Sequence, residues 1–428
     1  MKEKVQGFFD RITPTLNKIA ANKYLLTIMK SMMATLGLTI IGSMSVLLVV
    51  FPIKAVPDFI NKIGLTPILN LTDTITVGCL AVYIVFLMAK NLVPHFISGD
   101  DGTMAGIIAL MNFLILTPLK MVTEKSASLS TIPTTWLGTQ GIFSAMLVGL
   151  ISARVYVYIK QHGWTIKMPE SVPPMVSEAF EALIPLLVEG VIFILISWLF
   201  TFTSYGCLHQ AIYSLIQIPL KHVGGSVLAM IFISILQQIL WFFGIHGTNV
   251  LLPLVTPIWL SMDMEDLQAI KAGKEIPNII GLGFFNIITW SGLALGLVLL
   301  MIFAKSQQYK KLGRLAVVPA FFGITEPVIF GTPLVLNFDL AIPFIFNNTI
   351  AIIISYTLIK IGIVAKFIGA QAVFGLPLGF HAAVEGSASI IILQILIQLV
   401  LSPILWWPWF RRVDRKAYAL EQKSEVKK

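Results

Sequence analysis

The chain has 428 residues, 57% of them hydrophobic and only 12% charged, with a formal net charge of +9. A soluble domain carries about 25% charged residues to keep its surface hydrated, and a globule this apolar would expose aggregating patches. The composition therefore excludes a soluble globule, and it argues against a nucleic-acid binder, because the basic residues flank apolar runs rather than forming one stripe.

Residues 1–23 carry charges throughout and lack the compact apolar core and cleavage site of a secretory signal. Phe8, Phe9, Ile12 and Leu16 predict an amphipathic helix lying along the membrane surface. Crossing the hydrocarbon core takes roughly 20 apolar residues. Suitable runs lie near 26–52, 68–89, 103–121, 135–158, 184–204, 226–245, 279–304, 344–365 and 388–410. None alternates as the strands of an outer-membrane barrel do. The expected fold is an all-α polytopic membrane protein of about ten transmembrane helices, with re-entrant hairpins and interfacial amphipathic helices. Cys79 and Cys207 fall in or beside apolar runs and read as two inert thiols.

Near 160–180 the chain turns polar, and Pro169, Pro173 and Pro174 bar a continuous helix. A helix start is expected at Ser177. This joint divides a first membrane half, 24–205, from a second, 206–410, with a basic tail at 411–428. Lys2, Lys4, Arg11, Lys18 and Lys23 precede the first run, and Arg411, Arg412, Arg415, Lys416, Lys423, Lys427 and Lys428 follow the last. The positive-inside rule then puts both ends in the cytoplasm of a bacterial cell (inner) membrane and requires an even number of crossings. Lys305, Lys310, Lys311 and Arg314 mark 305–316 as a cytoplasmic loop, and 262–278, with Asp263, Glu265 and Asp266, reads as a loop of mixed charge.

Three stretches of the second half break the span pattern: 241–261, 317–348 and 370–390 mix apolar residues with Gly, Pro and scattered polar groups. Irregular backbone at membrane depth survives only where protein or a water-filled cavity satisfies it, so these stretches predict hairpins around a binding cavity. They also hold most of the candidate binding residues. Glu326, preceded by Thr325 and followed by Pro327, is an intramembrane carboxylate that needs donors, such as the hydroxyls of a small solute. The proline disfavours helix at Glu326. His246 sits in Gly244-Ile245-His246-Gly247-Thr248-Asn249, where the glycines allow close approach and the imidazole both donates and accepts. Asn249 completes that group. Asn286 and Trp290 are four apart on a predicted helix and share a face, as an amide beside an aromatic plate. His381 and Glu385 have the same spacing. Each has a plainer reading: an ion pair for Glu326, a satisfied core group for His246, packing for Trp290. There is no P-loop pattern, zinc spacing or Ser-His-Asp arrangement, so no cofactor or metal is expected.

Four blocks resemble a known family in order along the chain: DDGTMAGIIALMNFLILTP, SVPPMVSEAFEALIP, WFFGIHGTNVLLPLVTPIW and EPVIFGTPLVLNFDLAIPFIFNN. They are similar to the lactose/cellobiose/diacetylchitobiose branch of phosphotransferase-system permeases, enzyme II component C. The resemblance implies a homodimer that carries a sugar, with the dimer contact in the first half and the sugar site in the second. A β-linked disaccharide is the expected cargo. It implies that His246 and Glu326 contact the sugar near the hydroxyl to be phosphorylated. It also implies that a cysteine of a separate component B, charged through component A, supplies the phosphoryl group. The chain itself would be a non-catalytic translocation subunit. It departs from the family pattern in reading Phe-Phe-Gly-Ile-Thr before Glu326, Thr-Trp-Ser-Gly at 289–292 and Gly-Leu-Pro-Leu-Gly-Phe-His at 375–381. A proton-coupled secondary sugar transporter is the alternative, with Glu326 and His246, or His381 and Glu385, as a proton relay.

Overall fold

Long runs of Leu, Ile, Val and Phe become helices here because a helix satisfies its own backbone where no water can. The computed structural model describes residues 21–51, 53–124, 127–169, 171–332, 334–372 and 375–425, together with Pro14 and Lys18. The expected amphipathic segment within 1–23 therefore lies almost wholly outside the described residues. Seven described helices are long and apolar enough to cross a membrane: Lys23–Val49, Thr66–His95, Thr139–Gln161, Val176–Phe200, Leu282–Ile302, Ala341–Lys360 and Ala388–Lys423. Leu208–Gly224 and Val227–Phe242, bent by 69° at their junction, can form an eighth.

The expected number of about ten spans exceeds these eight; of the nine apolar runs one gives no span and another is bent. The run near 103–121 yields only Thr103–Ile115, of 13 residues. Pro118 then prevents its continuation, and the chain enters an antiparallel hairpin of Lys120–Glu124 with Ala127–Thr131. The run near 226–245 is one limb of the bent pair, restarted after Gly224 and Gly225 by Ser226, whose hydroxyl accepts from Ala229 N at 3.2 Å. At the proline-rich joint the helix resumes at Pro174 rather than Ser177, since proline suits a first helical turn.

In the first half, Leu80–Leu92 packs on Ile142–Gln161 through Gly149, where a Cβ would come within 2.7 Å of both Met88 Cβ and the Val85 carbonyl. A buried polar group lies beside this contact. The Glu189 carboxylate accepts from Asn112 Nδ2 at 2.7 Å and from Ser152 Oγ. Residues 24–205 and 206–410 meet at a Lys271–Asp73 ion pair and at Gln268 Nε2, which donates to Thr139 Oγ1 at 3.1 Å. A polar cavity of about 510 Å³ opens at this joint.

In the second half the break within 241–261 contracts to a turn at 243–246. The helix Gly247–Lys271 then runs continuously through Pro253 and Pro257. It absorbs Asp263 and Asp266, which were expected in a loop and are instead buried. A second apolar core gathers Phe242, Val328, Leu334, Leu340 and Leu378, drawn from all three broken stretches, with Trp290 and Trp406.

Candidate functional site

The helix Leu282–Ile288 stops where the chain enters a left-handed stretch, with φ of 54° at Ser291, 59° at Gly292 and 53° at Leu293. L-residues avoid that region, so something must hold it. The carbonyls freed there point at one face of the span Ala388–Lys423. Gln398 Nε2 donates to Trp290 O at 2.9 Å, and Ser402 Oγ and Trp406 Nε1 donate to Leu293 O at 2.6 and 2.9 Å. One turn earlier, Gln394 Nε2 reaches Ile287 O at 3.4 Å while its Oε1 accepts from Gly379 N at 3.0 Å. A spacing of four keeps these groups on one helical face, and a π-helical turn at Ile397–Leu401 lies within it. The sequence reading did not single out this stripe. Its signal was four hydrogen-bonding side chains at a helical period inside an apolar run.

His246 closes the 243–246 turn and caps the helix Gly247–Lys271, its Nδ1 accepting from Asn249 N at 3.3 Å. With Nδ1 as acceptor, the neutral ring carries its proton on Nε2. The ring centroid lies 4.2 Å from that of Trp241. A Cβ at position 247 would clash with the Gln237 carbonyl, and Gly244 has φ of 80°, which explains the glycines on either side. His246 and Asn249 are exposed.

The 317–348 stretch folds onto both neighbours. A Cβ on Gly323 would stand 3.0 Å from Trp290 Nε1, so the loop backbone lies against the indole. Thr325 is buried, and its carbonyl accepts from Val328 N at 2.9 Å. Glu326 opens the helix Glu326–Gly331, contrary to the expected local break, because Pro327 falls in the first turn, where its missing N–H is not needed. The Glu326 side chain lies outside the described residues. Farther on, Leu336 N donates to Phe242 O at 2.9 Å, and the Phe338 and Phe242 rings sit 5.2 Å apart. The 370–390 stretch joins through Leu378 N, which donates to Phe321 O at 3.1 Å.

The paired expectations fare differently. Asn286 is exposed, whereas every other residue of Leu282–Ile288 is buried, so its amide opens onto accessible space from an interior helix. Trp290 is buried. The shared face expected for this pair fails because the helix ends at Ile288, before the left-handed stretch. His381 and Glu385 are both buried without a hydrogen bond between them among the described residues. Glu385 Oε2 instead accepts from Ile368 N at 2.7 Å and Gly369 N at 3.2 Å, tying the two ends of the 370–390 hairpin together. Asp263 Oδ2 accepts from Gly283 N at 2.7 Å and Gln371 Nε2 at 2.8 Å, fastening the same hairpin to the helix Leu282–Ile288.

Comparison with known proteins identifies this arrangement. The family model described as Phosphotransferase system, EIIC matches residues 29–348. The chain is 31% identical to the PTS system oligo-beta-mannoside-specific EIIC component of Bacillus subtilis (strain 168), over 100% of this chain and 97% of that protein. It is 28% identical to the PTS system lactose-specific EIICB component of Lacticaseibacillus casei, over 97% of this chain and 72% of that longer protein, which joins a B component to the C component. The crystal structure of the transporter ChbC, the IIC component from the N,N'-diacetylchitobiose-specific phosphotransferase system, superposes with a TM-score of 0.89. Identity to it is 32%, over 97% of this chain and 99% of that one. The chain belongs to the phosphotransferase system EIIC family: it is a multi-pass, sugar-translocating membrane component of such a system.

Proposed function

We propose that the chain imports a β-linked disaccharide and presents it at the cytoplasmic face to component B on a separate polypeptide. The meeting of the broken stretches carries this reading. Leu336 on the Phe242 carbonyl and Gly323 on the Trp290 indole draw the His246 turn and the Glu326 helix into one region. The relatives' β-linked sugars set the substrate class. Glu326 accepts from one sugar hydroxyl, while His246, Asn249 and Asn286 hold others. Trp290 and Thr325 form the wall behind them, and His381 and Glu385 keep the docked hairpin in shape.

Transfer breaks the S–P bond of a phosphocysteine on component B and forms an O–P bond to the sugar hydroxyl. Glu326 takes the hydroxyl proton and passes it to water, and the thiolate stays with component B, to be recharged through component A. The new phosphate is repelled by a carboxylate-lined site, which favours release. Both termini lie in the cytoplasm in this reading. The first half supplies a homodimer contact, for which Val176–Phe200, the least buried of the seven spans, offers an apolar face.

The test uses proteoliposomes given radiolabelled cellobiose and phosphorylated component B. Cellobiose phosphate should form, and Glu326→Gln should reduce it at least about tenfold while leaving folded protein in the membrane. Full activity of that variant, or free cellobiose accumulating with a pH gradient, overturns the reading in favour of proton-coupled transport.

A further inference from the structure

Three of the spans end together on one side of the first half. Lys23 opens Lys23–Val49, His95 closes Thr66–His95 and Gln161 closes Thr139–Gln161. These ends are tied to one another. Lys23 Nζ donates to the His95 carbonyl at 2.6 Å, and Gln161 Nε2 donates to the Phe96 carbonyl at 3.3 Å. Around Gln161 the exposed rings of Tyr158, His162 and Trp164 follow one another, with centroids 4.1 Å and then 5.5 Å apart. Aromatic side chains favour the membrane–water boundary, so this end of the helix lies at headgroup level.

Arg154 lies seven residues inward from Gln161 on the helix Ile142–Gln161, about 10 Å along its axis. It is exposed on the outside of a span, where a cation is costly unless an anion meets its head. Its guanidinium carbon is 4.2 Å from the centroid of Phe96, and Lys23 Nζ is 4.4 Å from the same centroid. Two cations thus share one ring, and neither has an ion-pair partner among the described residues. The acids that follow Phe96 are engaged elsewhere: Asp100 pairs with Lys160 at 2.9 Å, and Asp101 with Lys90 at 3.6 Å.

Arg154 also lines a groove of about 410 Å³, together with Tyr24, Leu150, Ile151, Val155 and Tyr158. Helical spacing keeps Ile151, Arg154, Val155 and Tyr158 on one face. Along that face Leu150 and Ile151 lie deepest, and Tyr158 lies nearest the boundary. The groove is therefore apolar towards the bilayer interior and cationic towards the headgroups, which is the polarity of a phospholipid.

We propose that this groove binds one anionic phospholipid, with its phosphate on Arg154 beside Lys23 and one acyl chain along Leu150, Ile151 and Val155. Snorkelling into the bulk headgroups would account for Arg154 alone, whereas a bound lipid accounts for the groove beneath it too. In the functional reading above this is the cytoplasmic side, whose leaflet is the anionic one. The bound lipid clips together the ends of the three spans.

Native mass spectrometry of the full chain tests this, with phosphatidylglycerol or phosphatidylcholine of identical acyl chains added to the detergent. One phosphatidylglycerol should be retained per chain, with an apparent Kd at least about fivefold below that of phosphatidylcholine. Arg154→Gln should abolish that preference, and Arg154→Lys should keep part of it. Ile151→Ser should weaken both lipids by a similar factor. Should Arg154→Gln fail to reach the membrane, Lys23→Gln is read instead, with the preference falling at least about twofold. A wild type without preference, or a preference that survives these charge removals, overturns the proposal. Displacement of phosphatidylglycerol by glycerol 3-phosphate overturns it in favour of a free phosphate. Crosslinking of two copies through Ile151→Cys, where the wild type gives none, overturns it in favour of a second chain in the groove.

Discussion

Trp406 donates its indole N–H to the carbonyl of Leu293 at 2.9 Å and so pins a leucine held at φ of 53°. Ser402 Oγ shares the same acceptor. Trp406→Phe or Ser402→Ala leaves one donor in place and should cost about 1 kcal/mol. The double variant strands a buried carbonyl and should cost about 3 kcal/mol, more than the two singles together. Thermal unfolding in detergent measures this, and strict additivity would show that the donors act independently.

Among the described residues, Glu189 is the only acceptor for Asn112 Nδ2 and Ser152 Oγ besides their bond to each other. Replacing it with leucine removes that acceptor from a buried site between spans. The expected loss is about 2–3 kcal/mol, visible as a lower Tm. Glu189→Gln keeps a side-chain carbonyl and should lose less than half as much. Equal losses would mean that burial, not hydrogen bonding, sets the stability here.

Asn286 tests the proposed sugar site without disturbing the core, because it is exposed. Asn286→Ala should weaken cellobiose binding about tenfold, the equivalent of one hydrogen bond, and leave Tm within about 1 °C. A fall in Tm with unchanged affinity would remove Asn286 from the site.

Asp101 supplies the pH test. Hydrogen bonds from the Thr103 hydroxyl and the Thr103 N–H, and then Lys90 at 3.6 Å, hold its carboxyl below the ordinary value of 3.8. A depressed folded-state value stabilises above the unfolded one and is lost as pH falls through the folded one. Asp101→Asn should therefore lower Tm slightly at pH 7, and the gap should close as pH falls through the lowered folded-state value. Exposure and screening keep the effect well under about 1 kcal/mol. A constant gap across pH would assign the effect to the changed side chain rather than to its charge.

Helix type and membrane class were legible because an apolar run of spanning length has few other uses. The breaks within 241–261, 317–348 and 370–390 were signalled by Gly and Pro within such runs, and His246 by the glycines around it, whereas the break at 289–293 was read as continuous helix. What local pattern could not convey was pairing. Asn286 and Trp290 were placed on one face by a period that stops at Ile288. Asp263 looked like a loop charge because nothing near it in sequence reveals Gln371 or Gly283. His381 and Glu385 were spaced as partners, yet Glu385 answers to backbone N–H groups far back along the chain. The stripe of Gln394, Gln398, Ser402 and Trp406 had a readable period, but the carbonyls it serves lie about a hundred residues earlier.

The span Ala388–Lys423 is 36 residues long, or about 54 Å of helix. At one end it braces the left-handed stretch behind the proposed sugar site, and at the other Asp414 and Glu421 grip the start of Gln307–Phe321. One rigid strut thus ties the left-handed stretch to the helix Gln307–Phe321. Displacing it by a fraction of a helical turn would disturb both attachments together, so tolerance for change along this strut should be smaller than its lipid-facing composition suggests.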